Sequence, residues 1–220
     1  MTWVVERHRE DAATFHARPM PSPVRREVWI CEPTTGALVL GSAQRDEIVD
    51  RRACAETGVE VVRRRSGGGA VLVEPGSVLW VDVLLPAGDP LWVPDVGHAF
   101  LWLGEVWAAA LAELGVDTAV HGGPLRRTAW SDLVCFAGLG PGELTDPVGR
   151  KVLGISQRRT RAGARFQCAA LSTWDAAALT RLLELPAADR EAATLDLRDV
   201  AAGVGVDLDA LLAAFLRHLP

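Results

Sequence analysis

The sequence predicts an α/β fold in which a mixed sheet is flanked by helices. Short apolar runs bounded by glycine and proline alternate with segments whose apolar residues recur at helical spacing. The 220 residues are 49% hydrophobic and 23% charged, an ordinary globular composition with enough apolar side chains for a substantial core. No repeat or compositional break divides the chain, so residues 1–220 are expected to form a single domain.

The first half of the chain is predicted to be rich in strands. Residues 1–25 are expected to form a short strand, a helical turn and a proline-rich loop. Strands at 28–31 and 37–40 and a helix at 46–57 follow. The segment 59–62 and the apolar stretch 71–85 are expected to form a central hairpin. Asp46 is a suitable N-cap for the helix, and Gly58 is expected to end it.

The second half is predicted to close the sheet and cover it with helices. Its elements are a helix at 94–114, strands at 118–121, 132–136, 151–154 and 164–171, and closing helices at 175–183 and 207–219. Gly115 is expected to stop the first of these helices. Its tryptophans, Trp102 and Trp107, are expected to pack against apolar neighbours and not to bind a ligand.

Charge and cysteine usage narrow the class of protein. A net charge of -5 argues against nucleic acid as a partner, and the local arginine clusters suit a small anionic group better. The four cysteines, Cys31, Cys54, Cys135 and Cys168, are widely spaced without zinc-type pairing, which favours a reducing, cytoplasmic compartment. No signal peptide and no membrane-spanning run is predicted, so no membrane partner is expected.

The most distinctive stretch is Arg63–Val71, which contains three consecutive glycines between two strand-like segments. Glycines at such a place suit a backbone that approaches a ligand closely or adopts positive φ angles. Successive N–H groups in such a turn form a concavity for an anion, with arginines at its entrance. The alternative is a glycine-rich hairpin whose arginines are simply solvated.

A second stretch contains the single lysine of a chain with 23 basic residues. Lys151 stands in the segment 149–159, where every other basic residue is arginine. Lysine is a compact ammonium with a tunable pKa, whereas arginine is a permanently charged planar fork. Lys151 is therefore a candidate for a position that a guanidinium does not fit.

These two stretches resemble the lipoate–protein ligase and octanoyltransferase family, within the wider biotin/lipoate ligase fold. The family's Arg-Arg-x-Ser-Gly-Gly-Gly-Ala-Val motif matches Arg63–Val71, and its Lys-x-x-Gly-x-Ser/Ala-(Gln/Tyr)-Arg motif is similar to Lys151–Arg158. The segments 40–44 and 131–133 are similar to its Gly-x-x-Gln turn and its Asn-Asp-Leu sequence. The resemblance implies the catalytic-domain fold of class II aminoacyl-tRNA synthetases and biotin ligases, without the C-terminal accessory domain of larger ligases.

In the ligase branch of the family, the resemblance implies that ATP and Mg²⁺ activate lipoate or octanoate as an acyl-adenylate. The acyl group then passes to a lysine of a lipoyl-carrier domain or of a glycine cleavage H-type protein. Lys151 would bridge the acyl carbonyl and phosphate oxygens, and Asp132 would orient Lys151 or hold Mg²⁺. The other implied ligand-binding residues are Arg64, Ser66, Gly67, Gly68, Gly69, Ala70, Gly154 and Ser156, with Trp80 and Val71 at the acyl tail.

In the transferase branch, a cysteine takes octanoate from acyl carrier protein as a thioester, without ATP or another cofactor. Cys135 is the implied nucleophile, because Cys135-Phe136 followed by Glu143-Leu144 and Lys151 resembles the spacing in one cysteine-dependent octanoyltransferase group. A lysine near a thiol favours the thiolate. The alternative for Cys135 is a buried, inert cysteine in a strand.

The sequence also departs from each branch. Gly69 resembles the ligases, since the cysteine transferases tend to carry arginine there, whereas Ser131 replaces the family's asparagine. The segment 166–171 stands where ligases show His-Gly-Thr, which makes Cys168 a second thiol candidate. The resemblance favours the ATP-dependent ligase over the Cys135 transferase, and a non-catalytic acyl- or nucleotide-binding relative is the third possibility.

Overall fold

A computed structural model describes residues 2–220, so Met1 lies outside the described part. The chain forms a seven-stranded sheet in the order β1-β2-β6-β10-β9-β8-β7 and a three-stranded sheet in the order β4-β3-β5. The strands are β1 (Val4–Glu10), β2 (Glu27–Pro33), β3 (Ala37–Leu40), β4 (Glu60–Arg63), β5 (Val71–Val73), β6 (Val78–Pro86), β7 (Ala119–Val120), β8 (Leu144–Thr145), β9 (Lys151–Arg159) and β10 (Gly163–Leu171).

Helices cover the outer faces of the two sheets. They are α1 (Ala12–Ala17), α2 (Arg51–Thr57), α3 (Leu101–Glu113), α4 (Ala176–Arg181), α5 (Ala187–Leu197) and α6 (Leu208–His218). In the large sheet β1 and β2 are parallel, whereas β2, β6, β10 and β9 pair antiparallel in that order. The predicted α/β architecture, a mixed sheet flanked by helices, is confirmed.

Side chains alternate between the two faces of the large sheet along its central strands, so two apolar layers form, one on each face. On one face of the large sheet, Val81 and Phe166 pack under α3 and α6, where the ring of Trp107 stacks on Phe215 at 4.0 Å between centroids. On the other face, Trp80 and Leu84 pack with α1 and with the inner face of the small sheet. This second layer separates the two sheets, and several of its residues, Val39, Val73, Val78 and Trp80 among them, line a large cavity.

Local sequence signals explain most element boundaries, with two corrections. Asp50, and not Asp46, caps the second helix, because its carboxylate accepts from the N–H of Ala53 while residues 46–48 form a separate 3₁₀ turn. Gly58 ends that helix at φ 68°, as predicted. The helix α5 was not predicted, because its acidic and alanine-rich sequence lacks a marked apolar stripe.

Two predicted strand arrangements are wrong. The segments flanking the triple glycine do not form a hairpin, because β3 lies between β4 and β5 and pairs with both. The segment 132–136 is not a strand: only Val134 makes a bridge, to Ala70, and Cys135–Ala137 forms a 3₁₀ turn. Cys135 therefore lies at a turn beside the glycine loop.

Within residues 2–220, no helix is both long and apolar enough to cross a lipid bilayer.

Candidate active site

The glycine motif and the lysine motif meet in space. The Oγ atoms of Ser66 and Ser156 lie 3.0 Å apart, although 90 positions separate the two residues in sequence. A cavity of about 640 Å³ extends from this contact, lined by Gly67–Gly69 on one side and by Lys151 and Gly154 on the other. The structure therefore brings both predicted motifs to one site.

The glycine loop is held by backbone contacts that exclude side chains. Ala70 donates to Leu133 O at 2.8 Å and accepts from Cys135 N at 2.9 Å, so the loop is bonded to the segment that carries Cys135. A Cβ on Gly69 would come within 2.5 Å of the Val134 backbone, whereas a Cβ on Gly67 would meet nothing within 4 Å. Because of this contact, a side chain at position 69 requires a shift of the Val134–Cys135 backbone.

We expect Gly69→Ala to lower the free energy of unfolding by about 1–3 kcal/mol or more, because the new methyl group overpacks the Val134 backbone. Gly67→Ala is the matched control and should change stability by less than about 0.5 kcal/mol. Urea denaturation of the two variants and the wild type measures the difference. Equal stability of the two variants would contradict the close packing of the loop.

Arg64 is buried and serves the glycine loop directly. Its guanidinium donates to the carbonyl oxygens of Gly67 at 2.7 Å, Gly69 at 2.8 Å and Val39 at 3.3 Å. Its Nη2 also lies 3.9 Å from the Sγ of Cys135. Arg64 therefore shapes the loop and places positive charge beside the thiol.

Lys151 is 3% exposed, and three acceptors surround its ammonium group. Its Nζ lies 2.7 Å from Glu143 Oε2, 2.9 Å from Gly138 O and 3.2 Å from Cys135 O. A Cβ on Gly154 would come 3.4 Å from Lys151 Cε, so the glycine leaves room for the lysine side chain. These contacts explain why a compact ammonium occupies this position.

Glu143, and not Asp132, is the carboxylate that orients Lys151, which corrects the expectation for Asp132. Glu143 is buried and also accepts from the N–H groups of Gly140 at 2.6 Å and Ile155 at 3.0 Å. Asp132 lies at the cavity mouth with 87% of its side chain exposed, paired with Arg127. Sequence reasoning noted Glu143 only as part of a spacing pattern, since no local signal links it to Lys151.

Cys135 is the cysteine whose surroundings suit a nucleophile. It is partly exposed and lines the cavity, whereas Cys31, Cys54 and Cys168 are buried. Cys168 packs with Trp107 in the layer under α3 and α6, and burial raises the pKa of its thiol far above the ordinary value. The second thiol candidate is therefore unsuited to chemistry at this site, and the buried-strand alternative for Cys135 is wrong.

The deep end of the cavity is apolar. Val71, Val73, Val78 and Trp80 line it, and the Trp80 indole donates to Asp82 at 2.9 Å, so its polar atom is satisfied outside the cavity. This lining suits an alkyl chain. The expected position of Trp80 and Val71 on an apolar wall agrees with the structure, whereas Ala70 is fully buried and its backbone N–H and carbonyl groups bond Leu133 and Cys135.

His16 lies on the same wall, 4.7 Å from the Trp80 ring between centroids, and is not part of any predicted motif. Burial, with smaller contributions from the charges of Arg165 and Arg64, lowers its pKa from 6.5 to about 3. The neutral imidazole of His16 therefore adds no charge to the apolar end at physiological pH.

The shifted pKa of His16 predicts acid sensitivity. Between pH 6.5 and 3 the unfolded chain binds a proton that the folded chain does not, so the contribution of His16 to stability is lost as the pH falls, by up to about 1.4 kcal/mol per pH unit. Between pH 8 and pH 5, we expect the free energy of unfolding of His16→Gln to fall by about 2 kcal/mol less than that of the wild type. Urea denaturation at both pH values tests this, and equal losses would contradict it.

Comparisons with known proteins support a common origin for this site. The sequence profile of the lipoyl protein ligase A/B catalytic domain matches residues 12–205. Octanoyltransferase LipM of Carboxydothermus hydrogenoformans is 32% identical over 151 residues, which are 68% of this chain and 52% of that protein. The chain thus spans about half the length of this relative.

Solved structures share the fold at low sequence identity. A bipartite lipoate protein ligase from an archaeal lipoylation system of Thermoplasma acidophilum has a TM-score of 0.77 and 19% identity, covering 99% of this chain and 82% of that one. A lipoate-protein ligase A bound with ATP has a TM-score of 0.67 and 18% identity, covering 99% and 84%. With the family profile extending over residues 12–205 and both motifs lining one cavity, the chain belongs to the lipoyl protein ligase A/B catalytic domain family.

Proposed function

We propose that this protein transfers an octanoyl group from acyl carrier protein to a lysine of a lipoyl-carrier domain or a glycine cleavage H-type protein, through a thioester on Cys135. The observation that carries the proposal is the Cys135 thiol on the wall of the cavity that Lys151 also lines: its Sγ lies 3.9 Å from Arg64 Nη2, and the carbonyl oxygen of the same residue accepts from Lys151 Nζ at 3.2 Å. The match to octanoyltransferase LipM supports the same branch of the family.

The first half-reaction forms the acyl-enzyme. The Cys135 thiolate attacks the carbonyl carbon of the donor thioester, the bond from that carbon to the donor sulfur breaks, and the departing thiolate takes a proton from Lys151. A Cβ on Gly68 would lie 3.9 Å from Cys135 Sγ, so the loop backbone runs past the reacting atom. Its N–H groups are suited to stabilise the oxyanion that develops on the carbonyl oxygen.

In the second half-reaction Cys135 is the leaving group and Lys151 is the proton acceptor. The ε-amine of the acceptor lysine attacks the Cys135 thioester, an amide bond forms, and Cys135 leaves as a thiolate. The neutral Lys151 accepts the proton that the attacking amine loses. Glu143 holds the Lys151 amine in place throughout, since its carboxylate is fixed by the N–H groups of Gly140 and Ile155.

Charge at the site favours this route over adenylation. An acyl-adenylate site must compensate the negative charge that gathers around phosphorus. Here the two central cations already have partners: Glu143 neutralises Lys151, and Arg64 is hydrogen-bonded to three backbone carbonyls. A neutral thioester substrate matches such a site better than a triphosphate.

The second candidate function is an ATP-dependent lipoate or octanoate ligase. Two observations favour it. The glycine motif keeps glycine at position 69, as the ligases do, and the fold is shared with a lipoate-protein ligase A bound with ATP. Within residues 2–220 no three metal-ligating side chains converge. Mg²⁺ often binds through one carboxylate with phosphate oxygens, and Asp132 at the cavity mouth is the residue that would hold it beside ATP.

One assay separates the two functions. The protein is incubated either with octanoyl acyl carrier protein alone or with octanoate, ATP and Mg²⁺, and the products are examined by mass spectrometry. The proposal predicts an octanoyl adduct mapped to Cys135 in the first reaction and no acyl-adenylate in the second. An acyl-adenylate without a cysteine adduct would establish the ligase instead. A bound acyl ligand with neither product would indicate a non-catalytic relative.

A further inference from the structure

Three arginines in or next to the two motifs have structural roles. Arg63 binds Asp46 and the carbonyl oxygen of Gln44, and Arg64 binds the carbonyls of the glycine loop. Arg159 donates to Val93 O and Pro94 O, and its guanidinium lies 4.4 Å from the Trp92 ring centroid. These contacts account for the first two arginines of the glycine motif and for the arginine that directly follows the lysine motif.

One arginine of each motif remains without a partner. Within residues 2–220, the side chains of Arg65 and Arg158 make no hydrogen bond and no ion pair. Both line a second cavity, of about 290 Å³, with Pro19, Met20 and Pro21 on the facing wall. The fold thus collects the two uncommitted guanidinium groups in one concavity.

Arg158 has a like-charged neighbour across the strand and, within residues 2–220, no carboxylate partner of its own. In the pairing of β9 with β10, Arg158 stands opposite Arg165, and like charges directly opposite each other destabilise a sheet. Asp82 compensates Arg165, to which it is bonded at 2.7 Å, and Asp82 is itself fully buried. The Asp82 carboxylate therefore neutralises Arg165, and Arg158 beside it has no hydrogen bond to that carboxylate.

The second cavity adjoins the candidate active site. Gly154, Ser156 and Arg158 lie on the same face of β9 because side chains alternate along a strand. Arg65 immediately precedes Ser66, whose hydroxyl bonds Ser156. Arg65 and Arg158 thus stand one and two positions in sequence from the paired serines, and Ser156 lines the cavity that holds Lys151.

We propose that Arg65 and Arg158 form a subsite for the phosphate ester of the acyl donor's phosphopantetheine arm, which anchors the arm while its thioester lies at Cys135. The inference rests on the proposed function, which requires a thioester donor. A concavity of about 290 Å³ with a proline-rich wall fits a small group and not a protein surface element. Two guanidinium forks match the oxygens of a phosphate.

Three octanoyl donors test the subsite: octanoyl-pantetheine, which has no phosphate, octanoyl-4′-phosphopantetheine, and octanoyl acyl carrier protein. The readout is kcat/KM for acylation of Cys135. We expect the wild type to prefer the phosphorylated small donor by about tenfold or more, since hydrogen bonds to charged groups are strong. In Arg65→Gln and in Arg158→Gln this ratio should fall toward one. Arg181→Gln, at an exposed arginine of α4 that lines neither cavity, should keep the wild-type ratio.

The outcomes distinguish the subsite from the proposed function. Equal acylation by the two small donors in the wild type would overturn the subsite and leave Cys135 chemistry intact. Variants that impair only the carrier protein donor would also overturn it, and would assign the arginines to acidic side chains of that protein. Absence of acylation by all three donors would contradict the proposed function itself. Thermal unfolding of each variant checks folding, and Arg65→Gln, at an exposed loop position, suffices if Arg158→Gln does not fold.

Discussion

Replacing Cys135 with serine is expected to abolish the octanoyl adduct and to lower the rate of octanoyl transfer on the order of 10³-fold or more. A serine hydroxyl is far less nucleophilic than a thiolate and needs a general base to lose its proton. The guanidinium of Arg64, whose Nη2 lies 3.9 Å from the Cys135 sulfur, has no atom that accepts a proton. Intact-mass spectrometry and a transfer assay with an octanoyl carrier protein donor measure the effect.

The matched control is Cys168→Ala, which removes the other thiol that borders the cavity. Cys168 packs in the layer under α3 and α6, so its loss should leave the adduct in place and cost stability only. Transfer that persists in Cys135→Ser, or an adduct that maps to Cys168, would contradict the assignment of the nucleophile. ATP-dependent adenylate formation by Cys135→Ser would restore the ligase as the better function.

Replacing Lys151 with arginine is expected to lower transfer by at least about 10²-fold while the chain still folds. The three acceptors around Nζ, at 2.7–3.2 Å, suit a tetrahedral ammonium and not a planar fork. Arginine also cannot release a proton to a departing thiolate at neutral pH. The charge opposite Glu143 is kept, so the unfolding free energy should fall only by the cost of overpacking, about 1–3 kcal/mol.

Lys151→Met removes the positive charge of the side chain, whereas Lys151→Arg keeps the charge and changes only the shape of the charged group. It leaves the buried carboxylate of Glu143 without a counter-charge, and loss of one partner of a buried pair costs about 3–5 kcal/mol. The double variant Lys151→Met with Glu143→Gln should recover much of that stability and none of the activity. Single-turnover acylation measures the activity, and urea denaturation measures the stability, of Lys151→Arg, of Lys151→Met and of the double variant. Wild-type turnover in Lys151→Arg would remove Lys151 from the proton transfers.

The family and the parts of the site were accessible from sequence because they depend on short, local patterns. The triple glycine marks a loop whose backbone must pass close to another segment, and the structure shows that segment to be Val134–Cys135. The single lysine in an arginine-rich chain marks a buried ammonium with three backbone and side-chain acceptors. Apolar runs indicated the strand that carries Trp80 and, at 151–154, the first part of the strand that continues to Ser156.

Other features depend on contacts between distant segments and could not be predicted. The separation of β4 from β5 by β3 replaces the expected hairpin, because pairing across a long connection leaves no local turn signal. The choice of Glu143 over Asp132 as the partner of Lys151 follows from the path of the long segment between β7 and β8, which buries Glu143 and exposes Asp132.

The sequence by itself therefore determined the fold class, the family and the presence of a glycine loop and a lysine in one site. Each of these follows from the chemistry of neighbouring residues, such as glycine conformational freedom, strand alternation and the shape of an ammonium. Only the tertiary structure decided which charges are neutralised and which stay free. Arg64 is bonded to backbone carbonyls and Lys151 is paired with Glu143, whereas Arg65 and Arg158 have no side-chain partner among residues 2–220. The partner of a buried charge is selected by packing between segments that are far apart in the chain.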